Sequence, residues 1–201
     1  MISGRHKLPR RMAVAVRTRR VSVALAVALL AATALSACGK TMKPGEPVGE
    51  GLSTPLNGLR YTVFITRQLN LKDPEDSGYL PGYKEAAPGH GLFAVFMQGC
   101  NTGPRVKQAV GTDAFTIEDA EGDTFHPVKL GQRYPFAWHG GPVAGENCEP
   151  MRGSLAQQGP TSGALVLFDL PLAATENRPL TLRIEGPPGS APGRAEVVLD
   201  I

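Results

Sequence analysis

L-F-A-V-F-M-Q, residues 92–98, decides the fold. Apolar side chains occupy both alternating faces of this run, so it reads as a central strand that must be covered on each side. A second run of this kind is Ala164–Leu170 (A-L-V-L-F-D-L). Around them stand one-sided runs. Arg60–Thr66 is β-branched and aromatic, with Tyr61, Val63 and Ile65 expected on one face. Ala114–Glu118 alternates, Asp119–Asp123 is a polar turn and Thr124–Val128 returns, which predicts a hairpin. Leu180–Glu185 and Ala195–Ile201 also have period two. No stretch of helical length keeps three-and-four apolar spacing; the best helical turn is near Pro171–Thr175. Six or seven strands in about 140 residues predict an all-β sandwich or barrel, and two-sided strands beside one-sided ones favour two packed sheets. The long segments 70–91 and 129–163 are expected to cover sheet edges or rims.

Upstream, the composition changes. Residues 1–37 carry seven basic and no acidic side chains, and Val21–Ala37 is a run of 17 uncharged residues. Basic, apolar, then small is the layout of an export signal. The run is longer than the usual apolar core of such a signal and shorter than a spanning helix, so length leaves the two open. Leu35-Ser36-Ala37-Cys38 resembles the bacterial lipobox. That resemblance implies that the Cys38 thiol receives a diacylglycerol and that the mature chain begins there. Two acyl chains hold a protein stably at a bilayer, whereas one holds it marginally. Residues 40–58, with three prolines, are expected to be a disordered tether, making 38–58 lipidated Cys plus tether and 59–201 the folded domain.

Of 21 basic residues, 14 remain after the leader, against 18 acidic, a formal charge of −4 for residues 38–201. An acidic body without a Lys/Arg cluster repels phosphate backbones, so nucleic acid is not an expected partner. Cys100 and Cys148 are then an even pair, and outside the cytoplasmic membrane such a pair is most simply a disulfide. Free thiols and a metal or redox role are the alternatives.

No serine has the G-x-S-x-G surroundings of a nucleophile elbow. His90, His126 and His139 lack metal-ligand spacing; His90 with Met97 permits only a thought of copper. Asp119, Glu121 and Asp123 start like a calcium loop, but Thr124 and Leu130 stand where its Gly and Glu belong. No cofactor is expected. Tyr79, Tyr83, Tyr134, Phe136 and Trp138 lie in Gly/Pro-rich segments and form an interaction patch if exposed, or plug the end of the sandwich if not.

With its strands laid out, the chain resembles the telokin-like family of bacterial envelope domains, an immunoglobulin-like sandwich of about seven strands. The features that carry the resemblance are Gly58–Thr66 as entry strand, Leu92–Asn101, the Phe115–Phe125 hairpin with its D-x-x-G turn, and Gly163–Pro171 ending in F-D-x-P. It spans 58–201 and implies no activity and no functional residue. The expected protein is therefore a non-catalytic, lipid-anchored domain on the extracytoplasmic face that binds an envelope protein or ligand. The alternative is a metal- or solute-binding lipoprotein serving a transporter or metal-delivery system. Loops 79–91 and 134–141 are its expected contact surfaces.

Overall fold

The computed structural model describes residues 45–201; the expected export leader, Cys38 and the first part of the expected tether lie outside them. The fold is an all-β sandwich of two sheets. One has the order β1 (Val48–Gly49), β12 (Arg194–Leu199), β11 (Leu180–Glu185), β6 (Phe115–Glu118), β7 (Thr124–Phe125). The other has the order β10 (Ala164–Pro171), β4 (His90–Cys100), β3 (Leu59–Leu69), β2 (Ser53–Leu56), and β9 (Cys148–Glu149) pairs with the end of β4. A small separate ladder joins β5 (Lys107–Ala109) to β8 (Gly141–Val143). All seven predicted strands are present, and the five further ones, β1, β2, β5, β8 and β9, have two to four residues each.

Period two explains the first sheet. Phe115, Ile117, Leu182, Ile184, Ala195 and Val197 are buried, while Thr116, Glu118, Thr181, Arg183 and Glu196 alternate with them on the outer face. Across the sandwich they meet Tyr61, Val63, Phe93, Val95, Met97, Val166 and Phe168 of the second sheet, forming the main core. The even-numbered residues of β4, Leu92, Ala94 and Phe96, point the other way and are just as buried. The two-sided reading of that strand holds.

Three expectations need correction. First, residues 48–56 are not a disordered tether: Val48 pairs with Val197, and Ser53–Leu56 pairs with β3. Asn57 and Gly58 both have positive φ (51° and 76°), the mirror-type turn that closes a two-residue hairpin. Pro55 fits because β2 is an edge strand and need not donate on its free side. Second, Ile65 does not share a face with Tyr61 and Val63. A bulge between Val63 and Ile65 inserts one residue and sets Ile65 opposite Phe96, on the outer face, where it is exposed. Third, helix α1 (Pro74–Tyr79) stands in a segment read as loop. Its start is conventional: the Asp73 side chain accepts from the Glu75 N–H at 2.8 Å, and Pro74 fills the first turn. The turn expected near Pro171–Thr175 is a 3-10 turn at Leu172–Glu176.

Candidate functional site

The outer face of β4 and β10 in the second sheet is covered, and the cover comes from the two long segments. Leu69, Leu92, Ala94, Phe96, Leu165 and Leu167 form the floor of a second core, roofed by Tyr79 of α1, by Leu80 just after it and by Tyr134 and Ala137. Residues 128–138 also close the free edge of β10: Val128 donates to the Leu167 carbonyl, Leu165 to Phe136, and Trp138 to Leu165. The segments thus cover the β4 and β10 part of this face as well as an edge, and leave Ile65 of β3 exposed.

The five aromatics expected as an interaction patch divide on this frame. Trp138 is fully buried between the sheets, its ring 5.8 Å from Phe115 and 6.0 Å from Tyr61. Its Nε1 donates to the Val110 carbonyl at 2.8 Å, while the Val110 N–H donates to the Tyr61 hydroxyl at 3.1 Å. Gly99 lies directly under the Trp138 and Tyr61 rings, where a Cβ would sit 3.0 and 3.2 Å from them and force the rings to shift slightly. Tyr79 is buried between Phe96 and Phe136, at 5.0 and 4.9 Å, and its hydroxyl accepts from the Thr161 N–H at 2.7 Å. These two are core residues, not an exposed patch; a fully buried ring meets no partner. Phe136 is partly buried against both cores.

Tyr83 and Tyr134 have another place. Their rings meet edge to face at 6.1 Å and line a cleft of about 540 Å³ with Lys84, Leu92, Arg133 and Asp169. Leu92 and Tyr134 are buried, Tyr83 is half-buried and the charged groups stand at the rim. Arg133 lies over the Tyr134 ring at 4.8 Å and donates to its hydroxyl at 2.7 Å. Neither Arg133 nor Lys84 forms an ion pair among the described residues, whereas Asp169 is held by His90 Nδ1 at 2.8 Å. Burial pushes the Tyr83 hydroxyl above its ordinary pKa, and the nearby Asp169 and Tyr134 add to this, so Tyr83 stays a proton donor. A smaller hollow of about 190 Å³, which shares Glu85 and Leu92 with the cleft, is lined by His90 and Lys72.

The sheet parity separates the residues behind the copper thought. Met97 is fully buried in the main core, whereas His90 bonds to Asp169 on the opposite side of β4. His126 is exposed. The acidic turn is also accounted for: Asp119 Oδ1 accepts from the N–H groups of Glu121 and Asp123 at 3.0 and 2.9 Å. Cys100 and Cys148 form a disulfide with Cα atoms 4.0 Å apart. Asn101 N–H bonds to the Asn147 carbonyl, so the neighbouring 100/148 pair is the closer, non-hydrogen-bonded kind.

No family model and no curated protein matches the chain. Solved structures similar to it include the yjhA protein of Bacillus subtilis, with TM-score 0.49, 11% identity, 76% of this chain covered and 99% of that one. Another is the "putative lipoprotein (ycdA)" of the same organism, with TM-score 0.46, 10% identity and 74% of this chain covered; the match spans 38% of ycdA. An "uncharacterized beta-sandwich protein" of Clostridium difficile gives TM-score 0.44 at 13% identity, over 81% of this chain and 99% of that one. No functional residue carries over from likenesses of this degree.

Proposed function

We propose that this protein is a non-catalytic cell-envelope lipoprotein. Its immunoglobulin-like sandwich, of the telokin-like kind, holds a ligand in the cleft between residues 82–87 and 133–134. The cleft itself carries the reading. Its volume of about 540 Å³ lies within the roughly 300–1,000 Å³ usual for ligand sites, and its buried Leu92 and Tyr134 sit below a polar rim. Arg133 and Lys84 favour an anionic group, since the rim carboxylates Glu85 and Asp169 face Lys72 at 3.9 Å and His90 at 2.8 Å, and the Tyr83 and Tyr134 rings favour a flat or apolar body beside it. The lipobox-like Leu35–Cys38 supports the anchor and the extracytoplasmic location. The solute-binding alternative shares this cleft. Its metal-binding form lacks a donor set among the described residues, where no group of three His, Cys, Asp or Glu converges.

Native mass spectrometry of protein extracted from its own membranes tests both halves. The expected spectrum has a chain beginning at Cys38 plus a diacylglycerol, and a non-covalent adduct that Arg133→Glu and Tyr83→Ala abolish. An adduct retained in both variants would remove the cleft from the account.

A further inference from the structure

We infer that the end of the sandwich bearing the Arg105-Val106-Lys107 corner rests on an anionic lipid headgroup surface, with the cleft at the opposite end. This rests on the proposed lipid anchor at Cys38. Register places the two ends. Arg60 pairs with Cys100, and Leu69 with Leu92, so the Asn57–Gly58 turn stands at the Cys100 end of the second sheet and the cleft residues stand at the His90 end. Gly186 lies against Leu56, which puts the 186–193 loop, and the Glu185/Arg194 pair beside it, at the Cys100 end too. β1 runs parallel to β12, which starts at Arg194, so the chain before Val48 enters from that same end.

Length then decides what the anchor can reach. Nine residues lie between Cys38 and Val48, and the ten peptide steps span no more than about 35 Å. β4 has 11 residues, so the sandwich is about 37 Å from end to end. Val48 pairs with Val197, three residues from the start of β12, so this stretch reaches from the Cys100 end with length to spare and from the His90 end only close to its full extension.

The corner at that end suits such a surface. Val106 is 64% exposed and lies between exposed Arg105 and Lys107, neither of which forms an ion pair among the described residues. The Lys107 stem lies against Gly58, and Asn57 Nδ2 donates to the Gln108 carbonyl at 3.3 Å, so the corner adjoins the turn. Buried Asn101 holds it in shape: its Nδ2 donates to the Arg105 carbonyl at 2.7 Å, and its Oδ1 accepts from the Gly103 N–H at 3.0 Å. An apolar tip between two cations gives shallow insertion together with headgroup attraction. Glu46, Glu146, Glu149 and Glu185 stand at the same end, so the attraction is local to the corner and not a property of the whole end.

The test uses full-length lipidated protein in phosphatidylethanolamine vesicles containing phosphatidylglycerol and a headgroup nitroxide lipid. One fluorophore is placed at Val106→Cys, and another, in a separate variant, at Glu121→Cys in the hairpin of the opposite end. The label at 106 is expected to lose emission, the label at 121 to keep it, and Arg105→Glu with Lys107→Glu to restore emission at 106. Equal quenching at both positions in protein whose intact mass carries the diacylglycerol would overturn the orientation while leaving the anchor standing. An intact mass without lipid would overturn the anchor, and the orientation with it.

Discussion

The two sheets differ most in their outer faces. That of β6, β11 and β12 is bare: Thr116, Glu118, Thr181, Arg183 and Glu196 alternate with the core residues, and Arg183 bridges Glu118 and, at 3.4 Å, Glu196. That of β3, β4 and β10 is apolar and carries a second core under α1 and the 128–138 segment. A bare face needs only charge pairs that solvent already serves. An apolar face needs a roof, and a roof made of irregular chain leaves hollows at its margin. The cleft is such a hollow, which is why the proposed ligand site is on this side.

Variants on the two faces should differ accordingly. The largest effect is expected where the roof segment is fastened to the sheet. Replacing Cys100 and Cys148 by Ser opens a loop with sequence separation 48 and should cost about 4 kcal/mol on the chain-entropy model, measured by urea unfolding. Tyr79→Ala should cost about 3 kcal/mol through the cavity it leaves and the unpaired Thr161 N–H; a loss under about 1 kcal/mol would show that the roof is loosely packed. Asp119→Ala should have a smaller effect with a distinct pH signature. Burial raises the Asp119 pKa, but hydrogen bonds from Asn177, Asp123, Glu121 and Gly122 together hold it below 3.8. Its contribution is therefore complete above the unfolded-state value and lost as pH falls through the folded one, so mutant and wild type should converge in acid. Arg183→Ala on the bare face should cost less than about 1 kcal/mol, and the difference should shrink with salt.

Much of this was legible. Strand positions followed from period two and from the two-sided runs, because burial on one face or both leaves a direct mark on composition. Asn57-Gly58 is a strong hairpin signal, yet it sat among prolines and glycines, where composition pointed to a tether. Pairing of β2 comes from tertiary contact with β3, and Pro55 hides it. Asp73-Pro74 was likewise a legible helix start. The destinations of Trp138 and Tyr79 were not legible, since a ring in a Gly/Pro-rich segment has no periodicity to say which way it faces. Nor was the cleft, whose Arg133, Tyr83 and Asp169 come from three distant segments joined only by the fold.

Photo-crosslinking in intact cells tests the contrast between the faces most directly, with p-benzoylphenylalanine at position 83 in the cleft and at position 181 on the bare face. The account predicts a covalent adduct from position 83 and none from position 181. Adducts from 181 alone, or equal adducts from both, would contradict it.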